Sequence, residues 1–250
     1  MTQPRRIALP ILAALMGFAL ALAPLPALAQ ELSLSLGEGG SLTARSVQLI
    51  LLITVLSLAP GLAIMVTCFP FLVTVLSILR QAIGLQQSPP NMLIISLAMF
   101  LTYFVMEPVF TTAWEQGVAP MVAEEIDVET AFPRIVAPFR TFMAARLDPE
   151  TYAAMAALRP DVTQLTPSPE APLSVLVPSF LLSEIARAFQ IGFLIFLPFL
   201  IIDLVVAAIL MSMGMMMVPP AIVSLPFKLS VFVIADGWSL IASSLVRSYF

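Results

Sequence analysis

Six side chains invite a chemical reading because each is a charge within or beside a long apolar run: Glu107, Glu184, Arg187, Asp203, Lys228 and Asp236. An ionised group deep in hydrocarbon costs a few kcal/mol or more, so such groups face protein or a water-filled cavity. Glu184 and Arg187 are three residues apart, which puts them on one helix face and allows a pair. Lys228 and Asp236 are eight apart; they share a face but cannot meet within one helix, so each needs a partner from another segment or subunit. Helix-binding ion pairs are one reading of this set. The other is a proton relay through Asp203 or Glu184, against which stand the absence of histidine and of serial acids along one helix.

The same absence excludes a Ser-His nucleophile, histidine metal sites and the usual physiological-pH switch. With no Ser–Lys dyad or paired-aspartate site, the chain reads as a non-enzyme with no catalytic, cofactor-binding or metal-binding residues, and no cofactor is expected. Cys68 is the only cysteine, set between Thr67 and Phe69 in an apolar run; it cannot form an internal disulfide and reads as inert packing. A different kind of chemistry is suggested by Met211-Ser212-Met213-Gly214-Met215-Met216-Met217-Val218-Pro219-Pro220. A helix does not readily continue through this glycine into two prolines. Methionine is unbranched and polarizable, so a Met-rich loop could seal against varied surfaces, or could simply pack in a core or face lipid. The residues alone leave those readings open.

The elements that must carry these residues are apolar. Of 250 residues 60% are hydrophobic and 10% charged, with a mean hydropathy of +1.04. Soluble domains carry roughly 25% charged residues. Such a chain cannot cover a water-facing surface, and lipid must solvate much of it. At the N-terminus Arg5-Arg6, an apolar run over 7–22 and Ala27-Leu28-Ala29 form the pattern of a cleavable signal peptide, 1–29, cut after Ala29. Its removal takes two of eleven basic side chains and none of the fifteen acids, which leaves no basic stripe for nucleic acid.

Residues 30–45 read as a short extracytoplasmic leader. A first helical hairpin region follows over 46–110: a charge-free run over 46–79 interrupted by Pro60-Gly61 and Pro70, a polar turn from Arg80 to Pro89-Pro90, and a span over 91–106 closed by Glu107-Pro108. Residues 111–172 change character. Their acids outnumber their four arginines (Arg134, Arg140, Arg146, Arg159) and their exit is proline-rich, which predicts a water-exposed helical insert with an amphipathic helix over 135–147. Residues 173–250 form a second helical hairpin region around the Met-rich loop, with a final span over 221–246. The expected fold is all-α: a multi-spanning helical membrane protein with kinked or hairpin helices and a small extracytoplasmic helical insert. Four crossings from an exported N-terminus put the acidic insert and the C-terminus outside, with Arg80 and Lys228 near the inner loops.

Longer motifs carry a resemblance. Pro178-Ser179-Phe180-Leu181-Leu182-Ser183-Glu184-Ile185, Ala188-Phe189-Gln190-Ile191-Gly192-Phe193 and Leu197-Pro198-Phe199-Leu200-Ile201-Ile202-Asp203-Leu204-Val205-Val206 lead into the Met-rich loop, followed by Ser224-Leu225-Pro226-Phe227-Lys228 and Asp236-Gly237-Trp238. Upstream lie Leu79-Arg80-Gln81-Ala82-Ile83-Gly84 and Gln86-Gln87-Ser88-Pro89-Pro90-Asn91. In this order, over about 47–110 and 175–250, the chain resembles the FliP family of type III export gates. The resemblance implies a core pore subunit of the flagellar protein export gate, in the bacterial inner membrane at the flagellum basal body. It implies several copies assembled with FliQ-like and FliR-like subunits, passing unfolded flagellar proteins. Met215, Met216 and Met217 would form the constricting gasket, and Glu184, Arg187, Asp203, Lys228 and Asp236 would be buried charges serving assembly. The homologous R-subunit of virulence injectisomes is the nearest alternative; the signal peptide favours the flagellar branch. A lone transporter would show inverted repeats, and none is visible.

Overall fold

The computed structural model describes residues 42–85, 88–160, 162, 166–215 and 217–250, with side chains throughout these except at 42–45 and 59. The expected signal peptide, 1–29, and most of the expected leader, 30–45, lie outside the described residues. Every regular element among the described residues is helical, as expected. The helices are α1 (Leu42–Met65), α2 (Phe69–Ile83), α3 (Asn91–Ala113), α4 (Ala119–Val122), α5 (Val128–Arg146), α6 (Pro149–Ala157), α7 (Leu173–Ser212), α8 (Pro220–Ile234) and α9 (Gly237–Arg247). Three segments are long and apolar enough to cross a membrane, Ser46–Met65, Asn91–Val122 and Leu173–Ser212; the bent pair α8–α9 would make a fourth.

The charge-free run over 46–79 is two helices, and the break falls at 66–68 rather than at Pro60, which α1 carries in its interior. Pro70 sits in the first turn of α2, where its missing N–H costs no helical hydrogen bond. With 15 residues α2 is too short to span a bilayer. Its apolarity has another cause. Phe71, Leu72, Val75, Leu76, Leu79, Ala82 and Ile83 are all buried, and α3, α7 and α8 each pack on it, so α2 is the axis of the main core. Gly192 lets α7 approach: a Cβ there would lie 2.4 Å from the Ile78 Cδ1 on α2.

The span over 91–106 does not close at Glu107-Pro108. Proline removes one amide donor but does not stop α3, which runs to Ala113 and continues through a π turn, Trp114–Val118, into α4. At that turn Gly117 lies against α5, with an added Cβ only 2.4 Å from Ile135 Cγ1 and 3.0 Å from its backbone nitrogen.

The amphipathic helix expected over 135–147 is there but longer. Asp127 caps it, accepting from the Thr130 amide at 3.1 Å, and α5 then passes through Pro133 and Pro138. Asp148 caps α6 in the same way, from the Thr151 amide at 2.8 Å. The acidic insert nevertheless does not stand apart from the rest of the fold. Met143, Leu147, Tyr152 and Ala156 form a second apolar cluster with Val175, Leu176 and Phe180 at the start of α7.

That contact explains the length of α7. Its 40 residues reach about 60 Å, twice the roughly 30 Å hydrocarbon core of a bilayer. Its first half is covered by protein (Val175, Leu176, Ser179, Phe180, Ser183, Glu184, Ala188 and Gly192 are buried), while in the second half only Phe199, Val206 and Leu210 are. The final apolar run is also two helices, bent by 61° at 235–236. Asp236 takes a left-handed conformation (φ 47°), and Gly237 abuts Phe232, whose ring would lie 2.2 Å from an added Cβ.

Candidate functional site

Lys228 faces inward from α8, 5% exposed. Its ammonium donates to Asp203 Oδ2 on α7 at 2.6 Å and to the Ala82 carbonyl at 3.1 Å. Ala82 belongs to the last turn of α2, whose carbonyls have no partner within the helix, so one cation neutralises a carboxylate and caps a helix end. Ser224, one turn before Lys228, donates to the other Asp203 oxygen, Oδ1, at 2.6 Å. Three helices are thereby tied at one point. The expectation that Lys228 needs a partner from another segment is met within the chain. Ser224 escaped notice, although its spacing of four from Lys228 places it on the same helix face.

Glu184 has no solvent exposure, and its partner is not Arg187. Arg146, the last residue of α5, donates from Nε to Glu184 Oε1 at 3.3 Å and from Nη1 to the Ser248 carbonyl at 2.7 Å. Tyr249 donates its hydroxyl to Glu184 Oε2, and its ring lies under the guanidinium, 4.0 Å from its central carbon. The same ring stacks on Phe142 and meets Phe71 edge-on, at centroid distances of 6.1 and 5.6 Å. Burial, followed by the Glu184 charge, pushes the phenol above its ordinary range and keeps it a donor. Cys68 is also fully buried, and burial pushes its thiol up to about 12, in keeping with inert packing.

The correction has a simple cause. Spacing of three lets Glu184 and Arg187 share a helix face, but Glu184 points into a site already supplied by Arg146 and Tyr249. Arg187 is half-buried and makes no ion pair among the described residues. It helps, after the Thr151 hydrogen bonds, to hold the Asp148 carboxyl below the usual range. Arg146 and Tyr249 were missed in sequence because one closes an insert helix and the other is the penultimate residue, both outside the apolar runs. Asp236 and Glu107 are exposed in the single chain, so Asp236 is not a charge buried by this chain's own fold. No cluster among the described residues could hold a metal ion.

The Met-rich loop is the α7–α8 connection. Helix α7 ends at Ser212 with Gly214 left-handed (φ 75°). The Gly214 amide bonds to Met211 O at 3.1 Å and the Met215 amide to Leu210 O at 3.0 Å, a paired C-terminal cap. Helix α8 restarts at Pro220, its first residue. Met213 and Met215 are exposed, and Met217 is 97% exposed, more than any other large apolar side chain among the described residues. Met216 lies outside them. At the base of this hairpin, Asp203, Ser224 and Lys228 pin α7 to α8.

An all-α, multi-pass membrane protein emerges, its inward charges used to lock helices together and its methionines displayed at one hairpin tip. The chain belongs to the FliP family, whose sequence profile matches residues 52–245. It is 49% identical to the flagellar biosynthetic protein FliP of Caulobacter vibrioides over 240 residues, 96% of this chain and 90% of that one. The proteins of the same name from Agrobacterium fabrum and Bacillus subtilis are 50% and 44% identical, over 84% and 82% of this chain and 86% and 92% of theirs. These relatives carry the flagellar name, and the injectisome alternative is not favoured.

Proposed function

We propose that the chain is a pore-forming subunit of a flagellar protein export gate in the bacterial inner membrane. Several copies, together with FliQ-like and FliR-like subunits, surround a path for unfolded flagellar proteins, and Met215, Met216 and Met217 close it at rest. One observation carries this reading. A hairpin whose base is held by a Lys–Asp–Ser clamp, its Lys228 and Ser224 buried, presents at its tip a Met217 that is 97% exposed.

A seal of this kind must exclude ions yet yield to side chains of changing size, and an unbranched thioether repacks at little cost. The three methionines changed together to alanine leave the spans and the clamp intact. The expected outcome is a complex that assembles in normal amount but depolarises the membrane and slows growth on expression. A triple variant that assembles, exports and stays ion-tight removes the gasket role, whereas failure to assemble assigns the loop to packing.

A further inference from the structure

Five of the seven residues from Met211 to Met217 are methionines, and the four described ones, Met211, Met213, Met215 and Met217, are all exposed. The other described methionines are placed differently. Met106 and Met143 are buried in the two apolar clusters, Met121 and Met155 are half-buried, and Met65, Met92 and Met99 lie on apolar faces of α1 and α3. Oxidation of a thioether follows its exposure, so the hairpin tip gathers the most accessible sulfurs that lie off the spanning helices.

Most hydrogen-bond donors of the loop are already taken. The Met213, Gly214, Met215 and Val218 amides donate to the carbonyls of Ile209, Met211, Leu210 and Met215. The Ser212 hydroxyl donates to the Ile209 carbonyl at 2.7 Å, and Pro219 and Pro220 have no N–H to give. A thioether tolerates such surroundings because its sulfur is only a weak acceptor. A sulfoxide oxygen is polar and needs a donor. Buried without one it is unfavourable, so at this tip it draws in water.

We propose that the α7–α8 tip is an oxidation site at which hypochlorous acid converts exposed thioethers, those of Met213, Met215 and Met217, to sulfoxides, and that the sulfoxides wet and open the seal. The inference rests on the methionine seal proposed above and names the modification that breaks it. In the reaction a sulfur lone pair takes the chlorine of HOCl and releases hydroxide; water then adds to sulfur and expels chloride and two protons, one of which neutralises the hydroxide. The net change is thioether plus HOCl to sulfoxide, chloride and one proton, with sulfur oxidised and chlorine reduced by the same two electrons. The fold around the tip is untouched. The cap at Gly214 is made by main-chain groups and the clamp by Asp203, Ser224 and Lys228, none of them a thioether. The hairpin therefore stays in place, and enzymatic reduction of the sulfoxides restores the seal.

The test uses the full-length chain in its membrane complex, purified and reconstituted in liposomes, treated briefly with hypochlorous acid and quenched with free methionine. Peptide mass spectrometry is expected to find added oxygen at Met213, Met215 and Met217 before Met106 or Met143. Ion flux, absent from the untreated vesicles, is expected to appear with it and to be lost again after methionine sulfoxide reductases of both epimer specificities. Leucine keeps an apolar side chain of similar size without sulfur. A complex carrying Met215→Leu, Met216→Leu and Met217→Leu is expected to stay ion-tight before and after the oxidant; should it leak untreated, reversal by the reductases in wild type decides the matter. A wild-type complex that carries the sulfoxides and stays tight overturns the proposal, as does a flux that the reductases leave unchanged or that the leucine variant gains equally. Loop methionines oxidised no faster than Met106 and Met143 overturn it too. Failure of the seal itself looks different: the triple alanine variant then stays ion-tight without any oxidant, whereas a leaking alanine variant beside a tight sulfoxide complex overturns the oxidation site alone.

Discussion

A carboxylate as deeply buried as Glu184 persists only because the hydration it loses is replaced by donors. Arg146 Nε and the Tyr249 hydroxyl supply those donors, and both come from elements remote in sequence. Removing a cation from such a site leaves an unpaired buried charge, at a cost of about 3–5 kcal/mol. Arg146→Ala is therefore expected to destabilise the protein by about that amount, read as the shift of a thermal melt in detergent against wild type. Arg187→Ala, which removes no ion pair among the described residues, is expected to shift the same melt much less. Equal shifts would return Arg187 to the pairing role that spacing first suggested. Lys228 obeys the same logic with a difference: its ammonium also satisfies a helix-end carbonyl, so a neutral side chain of similar length would lose two contacts at once.

At the scale of elements, the closeness of α2 and α7 governs how much core there is. Gly192 is a point of close approach, and its neighbour Ile78 is a β-branched side chain with restricted rotamers. A Cβ at 192 would come within 2.4 Å of Ile78 Cδ1 and 3.3 Å of Ile78 Cβ, so relief by swinging the tip alone is incomplete. Gly192→Val is expected to destabilise by about 1–3 kcal/mol through overpacking. Combining it with Ile78→Ala is expected to recover part of that loss, in the same melt. A single variant that melts with wild type would mean that the two helices separate freely there. The bend between α8 and α9 works the other way. A left-handed Asp236 followed by Gly237 against the Phe232 ring turns what reads as one continuous span into two rods.

For the molecule as a whole, the chain's last residues join its parts. Ser248 and Tyr249 bind Arg146 of the insert, Tyr249 binds Glu184 of α7, and its ring touches Phe71 of α2 and Phe142 of α5. Deleting Tyr249 and Phe250 removes a hydrogen bond to a buried charge and most of this aromatic contact. The expected result is faster limited proteolysis within 111–172, with the bands from the α7–α8 hairpin unchanged. Wild-type cleavage rates in the truncated chain would show that the second apolar cluster holds the insert without the C-terminus.

Composition and motif order by themselves determined that this is a helical membrane protein, that 111–172 is its polar part, that the helix before Gly214 must end, and which family it belongs to. Those features are local: charge scarcity, proline and glycine chemistry, and long residue strings in fixed order. They also marked Glu184, Asp203 and Lys228 as charges needing partners, since a charge in an apolar run is costly whatever surrounds it. Only the tertiary structure decided who the partners are. Arg146, Ser224, the Ala82 carbonyl and Tyr249 converge from positions 21 to 146 residues away, and spacing along one helix can propose Arg187 for Glu184 but cannot see a competitor from another element. It likewise decided that α2 is apolar because protein covers it, and that Glu107-Pro108 interrupts nothing. Hydropathy reports that a side chain avoids water, and the same avoidance is satisfied by lipid, by a neighbouring helix or by another copy.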